Sequence, residues 1–346
     1  MRIAQVSPLY ESVPPKLYGG TERVVSYLTE ELVKLGHDVT LYASGDSETS
    51  ARLVPIYQKG LRLSDNIIDP LAHHILMLGR VMQDAHKYDI IHFHIDYIHF
   101  PLIRCLDVPT ITTLHGRLDI PDIAPLYKEF NDIPVVSISN DQRNPLPYAN
   151  WVGTVYHGLP IDLYKPIYKK GDYLAFLGRI SPEKRPDLAI EIAIKADIPL
   201  KIAAKVDKAD YQYYMERIKP LLKHPLVEFV GEITEKEKNE FLGNAMALLF
   251  PIDWPEPFGL VMIEAMACAT PVIARKRGSV PEVMEDGVTG FVFEDIEEAV
   301  ACIRAIDRID RSEVRKVFEK RFTSRRMAFD YLRIYNKEIG KIRLAA

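Results

Sequence analysis

Short apolar, β-branched runs alternate with stretches of helical periodicity from one end of the chain to the other. In the first half the runs fall near 2–6, 38–43, 90–95, 110–114, 135–138 and 154–156. In the second half they fall near 173–177, 200–204, 227–230, 247–250, 272–274 and 291–293. Between the first two runs, Val24, Val25, Leu28, Leu32 and Leu35 recur at helical spacing, and Gly36 closes the segment. Strands spaced by ten or more helical residues need crossover connections, so the pattern predicts parallel βαβ units. It restarts at Tyr173 after a polar, proline-bearing stretch, 160–166, which is the expected linker. The expected fold class is therefore α/β, with two Rossmann-like, doubly wound parallel sheets in series, 1–162 and 163–322. A closing segment, 323–346, carries Met327, Tyr331, Ile334 and Tyr335 on one helical face. In doubly wound sheets the ligand crevice lies at the carboxyl ends of the strands.

Composition narrows the class more than it identifies it. With 346 residues, the chain is long enough for two ordinary domains, each burying its own core. No apolar run approaches the ~20 residues of a membrane-spanning helix. The first residues read as a strand rather than a signal peptide, which predicts a cytoplasmic location. Cys105, Cys268 and Cys302 are odd in number and far apart, against a disulfide framework. A net charge of -4 gives no footprint for nucleic acid. The chain is locally basic from Arg311 to Arg343, which predicts a solvated helix face; the alternative is weak peripheral contact with an anionic membrane surface.

The candidate chemistry gathers at strand ends. Glu256 and Glu264 bracket Pro257-Phe258-Gly259-Leu260-Val261-Met262-Ile263. Prolines and Gly259 place Glu256 on a loop, while Leu260, Ile263, Glu264 and Ala267 follow helical spacing. The helix start offers N–H groups at Gly259, Leu260 and Val261 to phosphate or sugar oxygens. Ionised carboxylates only accept hydrogen bonds, so both glutamates suit a ligand rich in hydroxyls. The run ending at Leu177 leads into Gly178-Arg179-Ile180-Ser181-Pro182-Glu183-Lys184, with Ser181-Pro182 the expected helix start. Arg179 and Lys184 there suit a diphosphate whose charge grows as a bond to it breaks.

In the first half, Gly19-Gly20 precedes a helix and can expose N–H groups to phosphate. No G-x-G-x-x-G or Walker-type loop occurs. His115 ends the run 110–114, where ligands bind in an α/β domain. His92, His94 and His99 form a rival cluster, expected to be core or cleft-lining histidines rather than a metal site. Backbone at the turn after the run 227–230 suits the edge of a nucleobase, and Lys205 is a candidate phosphate or base contact.

The segment Glu-Pro-Phe-Gly-Leu with its second glutamate resembles the E-x7-E signature of the retaining glycosyltransferases of family 4. The resemblance spans nearly the whole chain, with several motifs in the expected order. It implies the GT-B fold, two Rossmann-like domains facing across an interdomain cleft, with the terminal helix packing back on the N-terminal, acceptor-side domain. It implies that Glu256 contacts the donor sugar and Glu264 the ribose hydroxyls. Gly178-Arg179 with Lys184 resembles the G-R-x4-K element that holds the diphosphate. The Gly19-Gly20 loop would face the donor phosphates, His115 would lie beside the donor sugar, and Gly231 and Ile233 would meet the base. Gly278-Ser279-Val280-Pro281-Glu282 also looks familial, without a catalytic role for Glu282. One departure stands out: many relatives have a glycine-rich turn where this chain reads Ala203-Ala204-Lys205-Val206-Asp207.

The implied function is transfer of a hexose from a nucleotide-sugar donor to a hydroxyl acceptor with retention of configuration, in polysaccharide, glycolipid or small-molecule glycoside synthesis. UDP-glucose is the leading donor. No cofactor and no metal are expected, since no D-x-D element stands near the site and Arg179, Lys184 and helix N–H groups would neutralise the leaving diphosphate. The acceptor would be selected by loops 10–18 and 96–100. Alternatives on the same fold are a nucleotide-sugar 2-epimerase and a non-catalytic sugar-nucleotide sensor.

Overall fold

The computed structural model describes residues 1–16, 19–64 and 67–345. The chain forms two compact units, one of Met1–Pro160 with Ser324–Ala346 and one of Ile161–Thr323. In the first unit seven strands pair in the order β3-β2-β1-β4-β5-β6-β7: β1 Arg2–Val6, β2 Asp38–Ala43, β3 Arg52–Pro55, β4 Ile90–Phe93, β5 Thr110–Thr113, β6 Val135–Ser137 and β7 Trp151–Thr154. In the second unit six strands pair in the order β10-β9-β8-β11-β12-β13: β8 Leu174–Arg179, β9 Leu200–Lys205, β10 Val227–Gly231, β11 Ala247–Phe250, β12 Val272–Arg275 and β13 Gly290–Phe293. Every ladder is parallel. Parallel strands are covered on both faces, which is why β4 and β11 are buried at all four positions, β11 reading as a continuous apolar run and β4 as one interrupted only by His92.

Chain order reverses between β1 and β4 in one sheet and between β8 and β11 in the other. At such a switch point the connections leave to opposite faces and open a crevice at the strands' carboxyl ends. The motifs after β1, β4, β8 and β11 are therefore the ones the topology brings to the crevices.

The helix Gly20–Lys34 ends in a Schellman turn, Gly36 N–H donating to Val33 and His37 N–H to Leu32, with Gly36 at φ 85°. The terminal helix Ser324–Ala345 belongs to the first unit. Tyr331 and Tyr335 are fully buried, and Ser324 Oγ donates to Glu31 on the helix Gly20–Lys34.

Three expectations need correction. Strand β3 is absent from the sequence reading, because a half-buried edge strand ending in Pro55 carries no apolar run. The strand expected at 154–156 begins earlier, at Trp151, whose indole N–H anchors it to the Leu146 carbonyl at 2.9 Å. The basic segment is not simply a solvated face. Arg311 and Arg315 are buried, and Arg311 donates to the carbonyls of Ile167, Gly243 and Ala245 and to Thr270 Oγ1. Arg315 binds the carbonyls of Ile161, Tyr164 and Ala267. A five-donor guanidinium can satisfy several loop carbonyls at once, and here it closes the ends of helices and loops. Among the described residues no helix is long and apolar enough to cross a membrane.

Candidate functional site

In the second unit the site is built on the turn after β8 and the loop after β11. Strand β8 ends at Arg179, and Lys184 N–H donates to the Ser181 carbonyl to close a turn. The helix expected at Ser181-Pro182 starts instead at Pro186. Arg185 adopts a left-handed conformation, φ 53°, and Pro186, with no N–H to lose, takes the first helical position. Asp253 N–H donates to the Glu183 carbonyl at 2.9 Å, which ties this turn to the loop carrying Glu256.

Glu256 is buried and shares one oxygen, Oε2, between the Lys184 ammonium and the Trp254 indole N–H at 3.0 Å. The ammonium also lies 5.2 Å from the Trp254 ring centre and 5.8 Å from that of Phe250, an aromatic setting that favours a cation. The loop is held from the other side by Gly278 and Ser279. Ser279 N–H donates to the Glu256 carbonyl at 3.0 Å, and its hydroxyl donates to the Phe258 carbonyl at 3.0 Å. Gly278 has φ 53°, and a Cβ there would lie 2.4 Å from Glu256 N and 2.5 Å from Glu256 O. Only glycine allows backbone to approach that closely in that conformation.

Gly259, at φ 77°, precedes the helix Leu260–Ala267, whose start has no side-chain cap. First-turn N–H groups have no acceptor within a helix, so those of Leu260 and Val261 face outward with the positive end of the dipole. Phe258 is buried under the loop, edge-on to Phe322. Glu264, one turn into the helix, is buried and paired with Lys238 at 2.8 Å; Lys238 also meets Glu235 at 3.3 Å.

Arg179 and Lys184 share a turn but engage different acids. Arg179 donates to Glu183 at 2.5 Å and lies 3.8 Å from Asp207 and 3.7 Å from Asp210. Lys205, at the end of β9, pairs with Asp207 at 3.0 Å. In the ligand-free protein both cations are thus already opposed by acids, as burial beside them requires. Gly231 ends β10 at φ 85°, and Ile233 lies on the loop before the helix Glu235–Gly243, which Thr234 and Glu237 start with a reciprocal cap.

In the first unit, Gly19 caps the helix Gly20–Lys34 without a side-chain hydrogen bond. Leu17 and Tyr18, the two residues before Gly19, lie outside the described residues. His115 follows β5, and burial holds its imidazole well below the ordinary value, at about 3. Its Nε2 lies 2.9 Å from His94 Nδ1, and His157 stacks on it with ring centres 5.3 Å apart. His92 and His94 have both ring nitrogens engaged by protein groups, and His99 stacks on Phe93 and bonds to Thr112. Among the described residues no group of three or more His, Cys, Asp or Glu side chains is placed to hold a metal ion.

Sequence reasoning missed Lys238, Trp254 and His157. Trp254 stands two residues from Glu256, and His157-Gly158 follows β7 as His115-Gly116 follows β5, so both carried a signal. Lys238 carried none, since a lysine on a polar helix reads as solvated.

Residues 164–323 match the family model for glycosyl transferases group 1, and residues 18–172 match that for Glycosyltransferase Family 4. An uncharacterized glycosyltransferase of Methanocaldococcus jannaschii is 25% identical over 75% of this chain and 78% of its own length. A glycogen synthase of Mycobacterium tuberculosis is 25% identical over 88% of this chain and 86% of its own. The crystal structure of Anabaena HepE in complex with UDP and glucose superposes with a TM-score of 0.76 at 18% identity, covering 97% of this chain and 100% of that one. At that identity the likeness speaks for the fold, the two-domain GT-B architecture.

Proposed function

The chain belongs to the family-4 type of glycosyltransferases with the GT-B fold, and from that premise we propose that it moves a hexose, glucose from UDP-glucose, onto a hydroxyl acceptor with retention of configuration and without a metal. The observation that carries the reading is the group Lys184–Glu256–Trp254 at the β8/β11 switch point, beside the uncapped start of the helix Leu260–Ala267. That arrangement joins a cation and helix N–H groups, which suit a diphosphate, to a carboxylate, which suits sugar hydroxyls. The Anabaena neighbour bound to UDP and glucose supports the choice of donor.

In this reading Arg179, Lys184 and the N–H groups of Leu260 and Val261 take the charge that develops on the leaving diphosphate. The C1–O bond breaks through an oxocarbenium-like state. The acceptor oxygen enters on the face the diphosphate leaves, and its proton passes to the departing phosphate oxygen. Glu256 supports the sugar electrostatically, and Glu264, held by Lys238, receives the ribose hydroxyls. Gly231, Ile233 and Lys205 are the candidate contacts to the base and phosphates, while Gly19, Gly20 and His115 are those of the first unit.

The test is hydrolysis of a panel of nucleotide sugars, followed by acceptor screening with the anomeric configuration of the product read by NMR. UDP-glucose turned over to an α-linked product is the expected result. Strict dependence on Mg²⁺ or Mn²⁺, or conversion of the donor to its 2-epimer with no acceptor present, would overturn it.

A further inference from the structure

A continuous run of buried side chains joins His115 to the terminal helix. His115 Nε2 meets His94 Nδ1 at 2.9 Å, and His94 Nε2 meets Gln5 Oε1 at 2.8 Å. The Gln5 amide N–H donates to Tyr335 OH at 3.0 Å, and Tyr335 OH meets His92 Nδ1 at 2.8 Å. His92 Nε2 meets Thr113 Oγ1 at 2.7 Å, and Thr113 Oγ1 meets Tyr331 OH at 2.9 Å. The run thus draws on β1, β4 and the residue after it, β5 and the second residue after it, and the terminal helix. Gln5, His92, Thr113, Tyr331 and Tyr335 are wholly buried, and His94 is 2% exposed. The rings of His92 and His94 are packed 3.9 Å apart between these partners, so neither can turn without breaking bonds.

Between Gln5 and His115 this run has only two self-consistent directions. Each neutral imidazole carries one N–H and one lone pair, so a donor at one nitrogen dictates an acceptor at the other. Gln5 breaks the tie, because its oxygen and its NH₂ face different neighbours. With the oxygen toward His94, His94 must donate from Nε2 and accept at Nδ1. His115 then donates from Nε2, which leaves its Nδ1 as a bare lone pair. On the other arm the Gln5 N–H donates to Tyr335 OH, and the hydroxyls of Tyr335 and Thr113, each able to accept from two neighbours, meet the two ring nitrogens of His92. Reversing the links from Gln5 to His115 needs the Gln5 amide turned over. His115 Nδ1 is buried and has no partner. It is the atom of the His115 arm whose lone pair no protein group takes.

We propose that Gln5 and Tyr335 are positioning residues that lock His115 in the tautomer with Nε2 protonated and Nδ1 bare, so that the ring presents a hydroxyl acceptor at the end of β5. The functional consequence rests on the reading of the chain as a glucosyltransferase; the tautomer itself does not. Residues of the terminal helix thereby act on a site residue that they do not touch.

The experiment uses the full chain labelled with ¹⁵N-histidine, His115 being assigned by comparison with His115→Asn. Long-range ¹H–¹⁵N spectra are expected to show one neutral form with Nδ1 unprotonated. In Tyr335→Phe the Gln5 amide loses its acceptor and is free to turn, and in Gln5→Leu the link is gone, so both should give a mixture of His115 tautomers. UDP-glucose hydrolysis should fall about tenfold in kcat, the cost of one misdirected hydrogen bond, with UDP affinity changed less than twofold. The wild-type spectrum alone refutes the proposal if Nδ1 carries the proton, whatever the variants do to stability. An unchanged single tautomer in both Tyr335→Phe and Gln5→Leu refutes it as well. A shifted tautomer in an enzyme that hydrolyses no UDP-glucose upholds the lock and sinks the proposed donor.

Discussion

Replacing Glu256 by glutamine is expected to tighten UDP binding while slowing turnover. In the ligand-free protein the Lys184 ammonium is committed to Glu256 Oε2, with side chains only 19% and 11% exposed. A diphosphate that uses Lys184 must compete with that carboxylate and approach its charge. Glutamine keeps the shape and an acceptor for the Trp254 N–H but removes the charge. A charged hydrogen bond contributes about 1.5–3 kcal/mol and a neutral one about 0.5–1.5, so releasing Lys184 yields about 1 kcal/mol. Removing a like charge at about 7 Å, with an effective dielectric of about 40, adds about 1 kcal/mol before salt screening. The sum, about 1–2 kcal/mol, lowers the Kd for UDP about five- to thirtyfold. Lys184→Met acts in the opposite direction, by about ten- to a hundredfold. In the Lys184→Met background the Glu256→Gln gain shrinks to the repulsion term alone, so the two changes are non-additive. Titration calorimetry with UDP at fixed ionic strength measures the four Kd values, and UDP-glucose hydrolysis measures kcat. Weaker UDP binding by Glu256→Gln, or an equal effect in both backgrounds, would show that Lys184 does not mediate between carboxylate and diphosphate.

Gly278→Ala should lower kcat for UDP-glucose at least about tenfold with little loss of UDP affinity, since its Cβ meets backbone of Glu256 and Pro255 in a left-handed conformation that costs about 1–2 kcal/mol; an unchanged kcat would remove Gly278 from the support of Glu256. Lys238→Met should raise the KM for UDP-glucose as Glu264→Gln does, and the double variant should add little; a fall in kcat at constant KM would contradict the ribose assignment. EDTA should leave turnover unchanged, and full loss restored by Mg²⁺ would refute a metal-free mechanism. Burial lowers His92, His94, His99, His115 and His157 below 6.5, His99 and His115 to about 3. The unfolded chain therefore binds protons first, and stability present above pH 6.5 is lost as pH falls toward 3, by up to about 1.4 kcal/mol per pH unit for each histidine. With Trp151 in one unit and Trp254 in the other, urea unfolding of Trp254→Phe followed by Trp151 fluorescence at pH 7 and 5 reads the first unit. A midpoint independent of pH would count against neutral burial.

Most of the fold was legible because both sheets are parallel and covered on both faces. Strand β11 announces itself as an unbroken apolar run and β4 as one interrupted only by His92, whereas β3, an edge strand with Arg52 and Pro55 at its ends, has nothing to announce. The positions of Glu256 and Glu264 could be read from prolines and helical spacing. Their partners could not, since Lys184, 72 residues before Glu256, and Lys238, 26 before Glu264, meet them only through tertiary packing. The helix start misplaced at Ser181 shows a second limit. Serine and proline are cap signals, yet the chain spends one more turn before Pro186 because Arg185 takes a conformation that its type rarely adopts. Arg311 and Arg315 show a third. Charge in sequence reads as surface, and only the loop carbonyls gathered around them turn these two into internal braces.

These partners change what the motifs mean. In sequence, Arg179, Lys184 and Lys205 are a positive site waiting for a diphosphate. In the folded chain each is already opposed by acid: Glu183, Asp207 and Asp210 around Arg179, Glu256 on Lys184, and Asp207 on Lys205. Three buried or half-buried cations without such partners would repel one another and carry a desolvation cost of several kcal/mol each. The acids remove that cost in the free protein but must be displaced or shared when phosphate arrives. Net affinity for the diphosphate is then the difference between two sets of ion pairs rather than the sum of one. That difference favours a ligand able to satisfy cations and carboxylates together. On the proposed assignment a nucleotide carrying a sugar does so, with phosphate oxygens for Lys184 and hydroxyls for Glu256, whereas a bare diphosphate satisfies only the cations. On that assignment the same pairing that weakens the hold on UDP, and so eases its release, selects the intact donor.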